Sequence, residues 1–151
     1  MKRYIAKFEK RQLTLFSESN SEIGKIVEVN KIIPWKKYIM CDSKRYDIKN
    51  VGFLWNDIEL SDGRKVIYYT DFGKDRIVKT GDNTKVCHFK FGKGMQLFEH
   101  KKLLIDIQTH KKWFKNPFFS IEMDDSVDDA LALLFLHYSS KEFNGIGCDG
   151  D

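Results

Sequence analysis

The chain has 151 residues and a formal net charge of +4, with 42% hydrophobic and 32% charged residues. This length is sufficient to bury one substantial core without metal or disulfide support, and the composition argues against disorder. Since the first 13 residues, MKRYIAKFEKRQL, are charged throughout and the longest apolar run has seven residues, we expect no signal peptide, no transmembrane segment and a cytoplasmic location.

Turn-forming residues interrupt the chain at short intervals up to residue 123, and β-branched or aromatic residues alternate with polar ones between them. Cys87 and Phe89, for example, alternate with Val86, His88 and Lys90. A period of two is typical of half-buried strands. The pattern predicts twelve strands, at about residues 3–9, 12–17, 22–29, 36–41, 45–50, 52–60, 64–71, 76–80, 84–91, 95–100, 103–110 and 118–123.

After residue 123 the pattern changes to a helical one. The run Ala130–Leu136 is apolar without interruption, and acidic residues precede it. Ser126 is expected to cap the helix, with Asp128 and Asp129 in the first turn near the positive end of the helix dipole. Asn144-Gly145 is expected to end it. The sequence therefore predicts one helix at about 127–142 and a short C-terminal tail at 144–151.

A helix that is apolar on all sides must be enclosed. About 16 residues form a helix of about 24 Å, and strands of about seven residues span about 23 Å. A barrel of about twelve strands has a lumen that a helix can fill. We therefore predict a single domain over 1–151 that is mainly β (α+β by count): a closed antiparallel barrel of about 12 short strands around one buried hydrophobic C-terminal helix. A helix packed between a sheet and loops, or buried in a dimer interface, is the alternative.

The segment SVDDALALLFLHYSSKEF, residues 126–143, follows about twelve short strands. In this layout the chain resembles the tubby C-terminal-domain-like superfamily, which includes tubby-like proteins, LURP-one-related proteins and phospholipid scramblases. The resemblance implies a 12-stranded barrel around a central helix. It also implies, for some members, binding of anionic phospholipid or phosphoinositide headgroups, without assigning that role to individual residues of this chain.

Two short stretches join lysines to amphipathic aromatic residues: PWKKY at 34–38 and HKKWFK at 110–115. Indole rings suit the headgroup region of a membrane, and each lysine near an anionic surface contributes about 1 kcal/mol. We therefore predict a non-enzymatic module that binds anionic phospholipid peripherally. The alternative is a structural role for these residues, in which the aromatic rings cap the barrel ends and the lysines keep the loops soluble. The candidate ligand-binding residues are Trp35, Lys36, Lys37, Lys101, Lys102, Lys111, Lys112, Trp113 and Lys115.

Other functions have less support in the sequence. The sequence contains no RNP-type motif or zinc finger that would indicate nucleic-acid binding. The acidic residues Asp124, Asp125, Asp128 and Asp129 lack EF-hand spacing, so we expect no metal and no cofactor. A protein–protein interaction domain is one alternative function. A small-ligand carrier or enzyme with a site at the barrel mouth is another, and a pocket that brings a carboxylate and a histidine together would favour it.

Overall fold

The computed structural model of the chain describes residues 1–29, 36–112 and 115–148, and for residues 112, 115, 116 and 141–148 it describes the backbone alone. All twelve predicted strands are present, although the sixth begins at Asp57 rather than at residue 52. A short turn at Phe53–Trp55 and a 3₁₀ turn at Phe72–Lys74 lie between strands. The elements are β1 (Lys2–Glu9), β2 (Gln12–Ser17), β3 (Glu22–Glu28), β4 (Lys37–Cys41), β5 (Lys44–Val51), β6 (Asp57–Ser61), β7 (Val66–Asp71), β8 (Arg76–Lys79), β9 (Lys85–Phe91), β10 (Met95–Glu99), β11 (Lys102–Lys112), β12 (Lys115–Met123) and α1 (Asp129–Cys148).

The strands form a closed antiparallel barrel in which each strand pairs with its neighbours along the chain. The first and last strands complete the ring, because β1 pairs with β12 from Lys2 opposite Met123 to Lys7 opposite Phe118. Closure leaves neither β1 nor β12 with an unpaired edge. The predicted closed barrel is therefore confirmed.

The helix α1 fills the lumen of the barrel. Every residue from Ala130 to Ser140 is buried, and the four residues Leu133–Leu136 are 0% exposed. They form one core cluster with the inward-facing side chains of the strands, among which are Cys87 and Phe89, while Val86, His88 and Lys90 point to solvent. The predicted enclosure of an apolar helix on all sides is therefore confirmed, and the barrel provides it.

The start of the helix differs from the predicted one. Asp128, not Ser126, is the cap, since its Oδ1 accepts the backbone N–H of Leu131 at 2.7 Å. Ser126 instead donates its backbone N–H and its hydroxyl to Asp124 Oδ2, at 3.1 Å and 2.5 Å. The second oxygen of Asp128 accepts the hydroxyl of Tyr68 in β7. One carboxylate therefore both caps the helix and ties its first turn to the barrel wall.

The helix also ends later than predicted. It continues past residue 142 to Cys148, so Asn144-Gly145 does not stop it. Glycine within a helix costs about 1 kcal/mol relative to alanine, which weakens a helix without preventing it. Most of the predicted tail at 144–151 is thus helical, and its last three residues lie outside the described part of the chain.

Candidate functional site

The up-and-down connectivity places alternate connections at opposite ends of the barrel. The connections that follow odd-numbered strands meet at one end, and those that follow even-numbered strands meet at the other. The helix starts at the second end, where Asp128 contacts Tyr68, and runs toward the first, where His137 and Ser140 line a cavity together with Lys10. We call the first the helix-exit end and the second the helix-entry end.

The two ends differ in charge. Within the described residues, the connections at the helix-exit end carry five basic residues and one acidic residue, whereas those at the helix-entry end carry three basic and seven acidic residues. A barrel with ends of opposite sign is oriented by an electric field, and its basic end is attracted to anionic surfaces. The basic residues of the helix-exit connections are Lys10, Arg11, Lys36, Lys74 and Lys93.

Several of the predicted lysines lie at the helix-exit end. Lys36 and Lys111 are exposed, and Lys37, the first residue of β4, is half-buried. The backbones of Lys112 and Lys115 pair with each other where β11 turns into β12, which places this hairpin at the same end. Trp35 and Trp113 lie outside the described residues.

The predicted pair Lys101 and Lys102 lies at the helix-entry end, because the connection from β10 to β11 falls there. Lys102 Nζ lies 3.2 Å from Asp124 Oδ2 and forms a salt bridge with it. The seven described residues of the predicted set are therefore divided between opposite ends of the barrel. They do not form one continuous surface.

An exposed apolar loop accompanies the basic residues at the helix-exit end. The side chains of Phe53, Leu54 and Trp55, between β5 and β6, are 86%, 74% and 61% exposed. Gly52, Leu54 and Trp55 all have positive φ angles, of 82°, 58° and 57°. The left-handed conformation costs a non-glycine residue about 1–2 kcal/mol. We call Phe53–Trp55 the apolar tip.

Hydrogen bonds hold the base of the apolar tip. Asp57 Oδ1 accepts the hydroxyl of Thr70 at 2.9 Å and the backbone N–H of Phe72 at 2.8 Å. The Thr70 oxygen in turn accepts the backbone N–H of Ile58 at 2.9 Å. This network joins the β5–β6 connection to the neighbouring β7–β8 connection. The base of the apolar tip is therefore anchored to the β7–β8 connection by hydrogen bonds.

A cavity of about 590 Å³ opens at the same end, beside the apolar tip. The central helix contributes His137 and Ser140 to its wall, and both are buried residues of the lumen. The carboxylate-bearing Glu28 also lines it. The pocket thus has a carboxylate and a histidine in its wall, which is a feature that favours the alternative of a small-ligand carrier or enzyme. The remaining described lining residues are Phe8, Lys10, Arg11, Gln12, Leu13, Ile26, Lys37, Asn50, Leu54, Trp55 and Asn56.

The acidic residues before the helix interact with other groups of the chain. Hydrogen bonds from Ser126 and the ammonium group of Lys102 lower the pKa of Asp124 to about 2. Burial, together with the nearby carboxylates of Asp42 and Asp128, raises the pKa of Asp129. Among the described residues, no cluster of three or more His, Cys, Asp or Glu side chains is arranged to hold a metal ion.

The two buried cysteines do not have the character of nucleophiles. Burial raises the pKa of Cys41 and of Cys87 to about 11. Because the thiolate is the reactive form, both thiols are protonated and unreactive at neutral pH. Their place is in the core beside the helix.

Sequence reasoning missed the apolar tip, because residues 52–60 were predicted to be one strand. The segment does contain a signal, since GFLWND sets three large apolar residues between a glycine and an Asn-Asp turn, without the alternation of a strand. Regular alternation begins only with the buried Ile58 and Leu60 of β6.

Comparison of this chain with known proteins gives no match among protein-family models, curated proteins or solved structures. Among the described residues, no helix combines the length and the apolar character needed to span a membrane.

Proposed function

We propose that the protein is a non-enzymatic module that binds anionic phospholipid membranes peripherally through its helix-exit end. The observation that carries the proposal is the juxtaposition of three exposed apolar side chains, Phe53, Leu54 and Trp55, with a basic set of connections at one end of the barrel. The resemblance to the tubby superfamily is a second, independent reason, and membership in it stays a prediction.

The apolar tip has the properties of a membrane-contacting loop. Transfer of one large apolar side chain out of water contributes about 1.5–3 kcal/mol, and aromatic rings favour the membrane interface. The tip keeps these side chains exposed and holds Leu54 and Trp55 in left-handed backbone conformations. Strained backbone of this kind concentrates at functional sites, where the surrounding structure maintains it.

The surrounding charge selects an anionic surface over a neutral one. Each basic residue near an anionic leaflet adds about 1 kcal/mol, and five basic residues stand against one acidic residue in the described connections of this end. The acidic helix-entry end is repelled from the same surface. The barrel therefore docks with its axis close to the membrane normal and with Phe53 among the lipids.

The proposed surface retains part of the predicted set and extends it. Lys36, Lys37 and Lys111, together with the hairpin of Lys112 and Lys115, remain in it, and Lys101 and Lys102 do not, since they lie at the other end. The described side chains that we add are Lys10, Arg11, Phe53, Leu54, Trp55, Lys74 and Lys93.

The test is co-sedimentation of the purified protein with vesicles of phosphatidylcholine that contain increasing amounts of phosphatidylserine. Two variants change the surface without altering residues that line the cavity: Phe53→Ser and the double variant Lys36→Glu/Lys93→Glu. Reversal of two lysine charges removes two favourable contacts and adds repulsion, so binding is expected to weaken by at least about 30-fold. Phe53→Ser should weaken binding at every salt concentration.

A matched double variant at the helix-entry end, Lys65→Glu/Lys101→Glu, controls for net charge. It should bind like the unaltered protein, since both exposed lysines lie at the end that faces away from the membrane. Equal binding to neutral and anionic vesicles, or an equal loss in both double variants, would contradict the proposal. If the protein ignores vesicles but Phe53→Ser abolishes a complex with a protein partner, the apolar tip is a protein-binding loop instead.

A further inference from the structure

We propose that the cavity at the helix-exit end binds one molecule of an anionic amphiphile, a compound with an acidic head and an apolar chain. This inference goes beyond membrane docking, because it concerns one molecule held inside the cavity and not contact with the surface of a bilayer. Its starting point is the lining of the cavity, which is divided by chemistry. Its volume of about 590 Å³ lies in the range of small-molecule sites, about 300–1,000 Å³.

One part of the lining is apolar and belongs to the core. Leu13 and Ile26, on the adjacent strands β2 and β3, are 5% and 4% exposed, and Phe8 of β1 packs against the same cluster. Leu54 and Trp55 of the apolar tip complete this part. These five side chains form a surface suited to an alkyl chain, because contact with them removes the chain from water.

A second part of the lining is charged, and a third is neutral and polar, made up of Gln12, Asn50, Asn56, His137 and Ser140. Lys10 and Arg11 come from the β1–β2 turn and Lys37 from the start of β4, and Glu28 is the one acidic residue among the described lining residues. Glu28 and Lys37 are paired across β3 and β4. The salt bridges formed by described residues include none of these four.

This arrangement determines the ligand class. Three cationic side chains and the carboxylate of Glu28 leave this mouth with a net charge of +2, so it attracts an anion. A cationic amphiphile would be repelled by the cationic side chains. A simple anion would satisfy the charges but leave the apolar wall in contact with water. A ligand with an acidic head at Lys10, Arg11 and Lys37, and a chain against Leu13 and Ile26, satisfies both the charged and the apolar part of the lining.

The experiment is isothermal titration calorimetry with three probes, and the two amphiphiles are kept below their critical micelle concentrations. Decanoate carries both chain and acidic head, decyltrimethylammonium carries the chain with the opposite charge, and inorganic phosphate is an anion without a chain. We expect saturable binding of one decanoate per protein, no binding of decyltrimethylammonium, and phosphate binding at least about tenfold weaker. Phosphate that binds as tightly as decanoate would overturn the assignment of an amphiphile.

Variants connect the binding to the cavity. Arg11→Gln and Lys37→Gln should each weaken decanoate binding about tenfold, since each removes a charged contact to the head. Lys93→Gln, at the same end but outside the described lining, is the control and should bind decanoate unchanged. Circular dichroism checks that every variant is folded. Folded Arg11→Gln and Lys37→Gln proteins with unaltered affinity would refute the inference.

The same variants separate this inference from the membrane proposal. Phe53 does not line the cavity, so Phe53→Ser should bind vesicles more weakly and bind decanoate unchanged. A final arm identifies the source of the ligand. Decanoate that releases the protein from phosphatidylserine vesicles assigns the cavity to a lipid of the bilayer. Decanoate that binds without releasing it assigns the cavity to a free amphiphile.

Discussion

Gly24 of β3 lies directly against Leu133 of the central helix. A β-carbon at residue 24 would lie 2.6 Å from Leu133 Cδ1, 2.8 Å from the carbonyl oxygen of Met40 and 2.9 Å from Cys41 Cβ. These distances are shorter than atomic contacts allow, and one of them is to backbone that cannot easily move. The missing side chain at this position therefore gives the helix its space beside β3 and β4.

Replacement of Gly24 with alanine should destabilise the protein. We expect Gly24→Ala to lower the free energy of unfolding by about 1–3 kcal/mol, the usual effect of excess volume in a packed core, as measured by urea denaturation. Gly92→Ala is the control, since nothing lies within 4 Å of the added carbon. Equal stability of the two variants would mean that the helix adjusts its position without cost.

A charge at Leu134 should prevent folding. This side chain is 0% exposed in the middle of the enclosed helix, so Leu134→Asp would leave a carboxylate buried without a partner, at a cost of about 3–5 kcal/mol. We expect loss of the cooperative thermal transition followed by circular dichroism. Val86→Asp makes the same kind of change on the outer face of β9, where the side chain is exposed, and should melt normally.

Neutralisation of Asp129 should stabilise the protein at neutral pH. Burial, Asp42 and Asp128 raise the pKa of this carboxyl, so the folded state favours its protonated form. The contribution of Asp129 to folding stability is therefore fully present below pH 3.8, the pKa of an unperturbed carboxyl. This contribution is lost as the pH rises through the raised pKa of the folded state. We expect Asp129→Asn to have a higher Tm than the unaltered protein at pH about 7, and the difference to disappear near pH about 3.

Asp124→Asn provides the opposite case at the same end of the barrel. Hydrogen bonds from Ser126 and the charge of Lys102 lower the Asp124 pKa to about 2. The ionised Asp124 carboxylate therefore contributes to folding stability above pH 3.8, the pKa of an unperturbed carboxyl. This contribution is lost as the pH falls toward the lowered pKa of the folded state. Asp124→Asn should thus lower the Tm at neutral pH. Changes of the same sign in the two variants would contradict this account of the acidic segment.

The left-handed backbone of the apolar tip should be relieved by glycine. Leu54 has a φ of 58° and its side chain is 74% exposed. We expect Leu54→Gly to leave the free energy of unfolding unchanged or to raise it by up to about 1 kcal/mol. Val86→Gly, within β9, should lower it by about 0.5–1 kcal/mol. If urea denaturation shows Leu54→Gly to be the less stable of the two, the tip is packed rather than strained.

The strands and the enclosed helix were predictable because burial imposes a period on the sequence. Cys87 and Phe89 face the core and their neighbours face water, as the alternation in β9 indicated. The run Ala130–Leu136 required enclosure and has it. The helix boundaries were less predictable, since Asp128 and Ser126 are both good capping residues. The hydrogen bond from Tyr68, 60 residues away in the sequence, favours Asp128 as the cap.

The candidate site was only partly predictable, for two physical reasons. Lysine-rich segments are visible in the sequence, but whether two of them share an end depends on the number of strands between them. Lys101 falls one connection beyond Lys93 and therefore at the opposite end of the barrel. The left-handed backbone at Leu54 and Trp55 has no signature in residue preference, because such residues rarely adopt it.

The pairing of β1 with β12 has a consequence for the synthesis of the protein. The residues that close the ring are separated by more than a hundred others, and the helix that fills the lumen follows both strands. At about 5–20 residues per second, the ribosome needs on the order of ten seconds to deliver β12 after β1. Throughout that time the growing chain exposes inward-facing side chains such as Leu15 and Ile39, and β1 keeps one edge open to other chains. We therefore expect the nascent chain to need protection from aggregation until the helix α1 has been made.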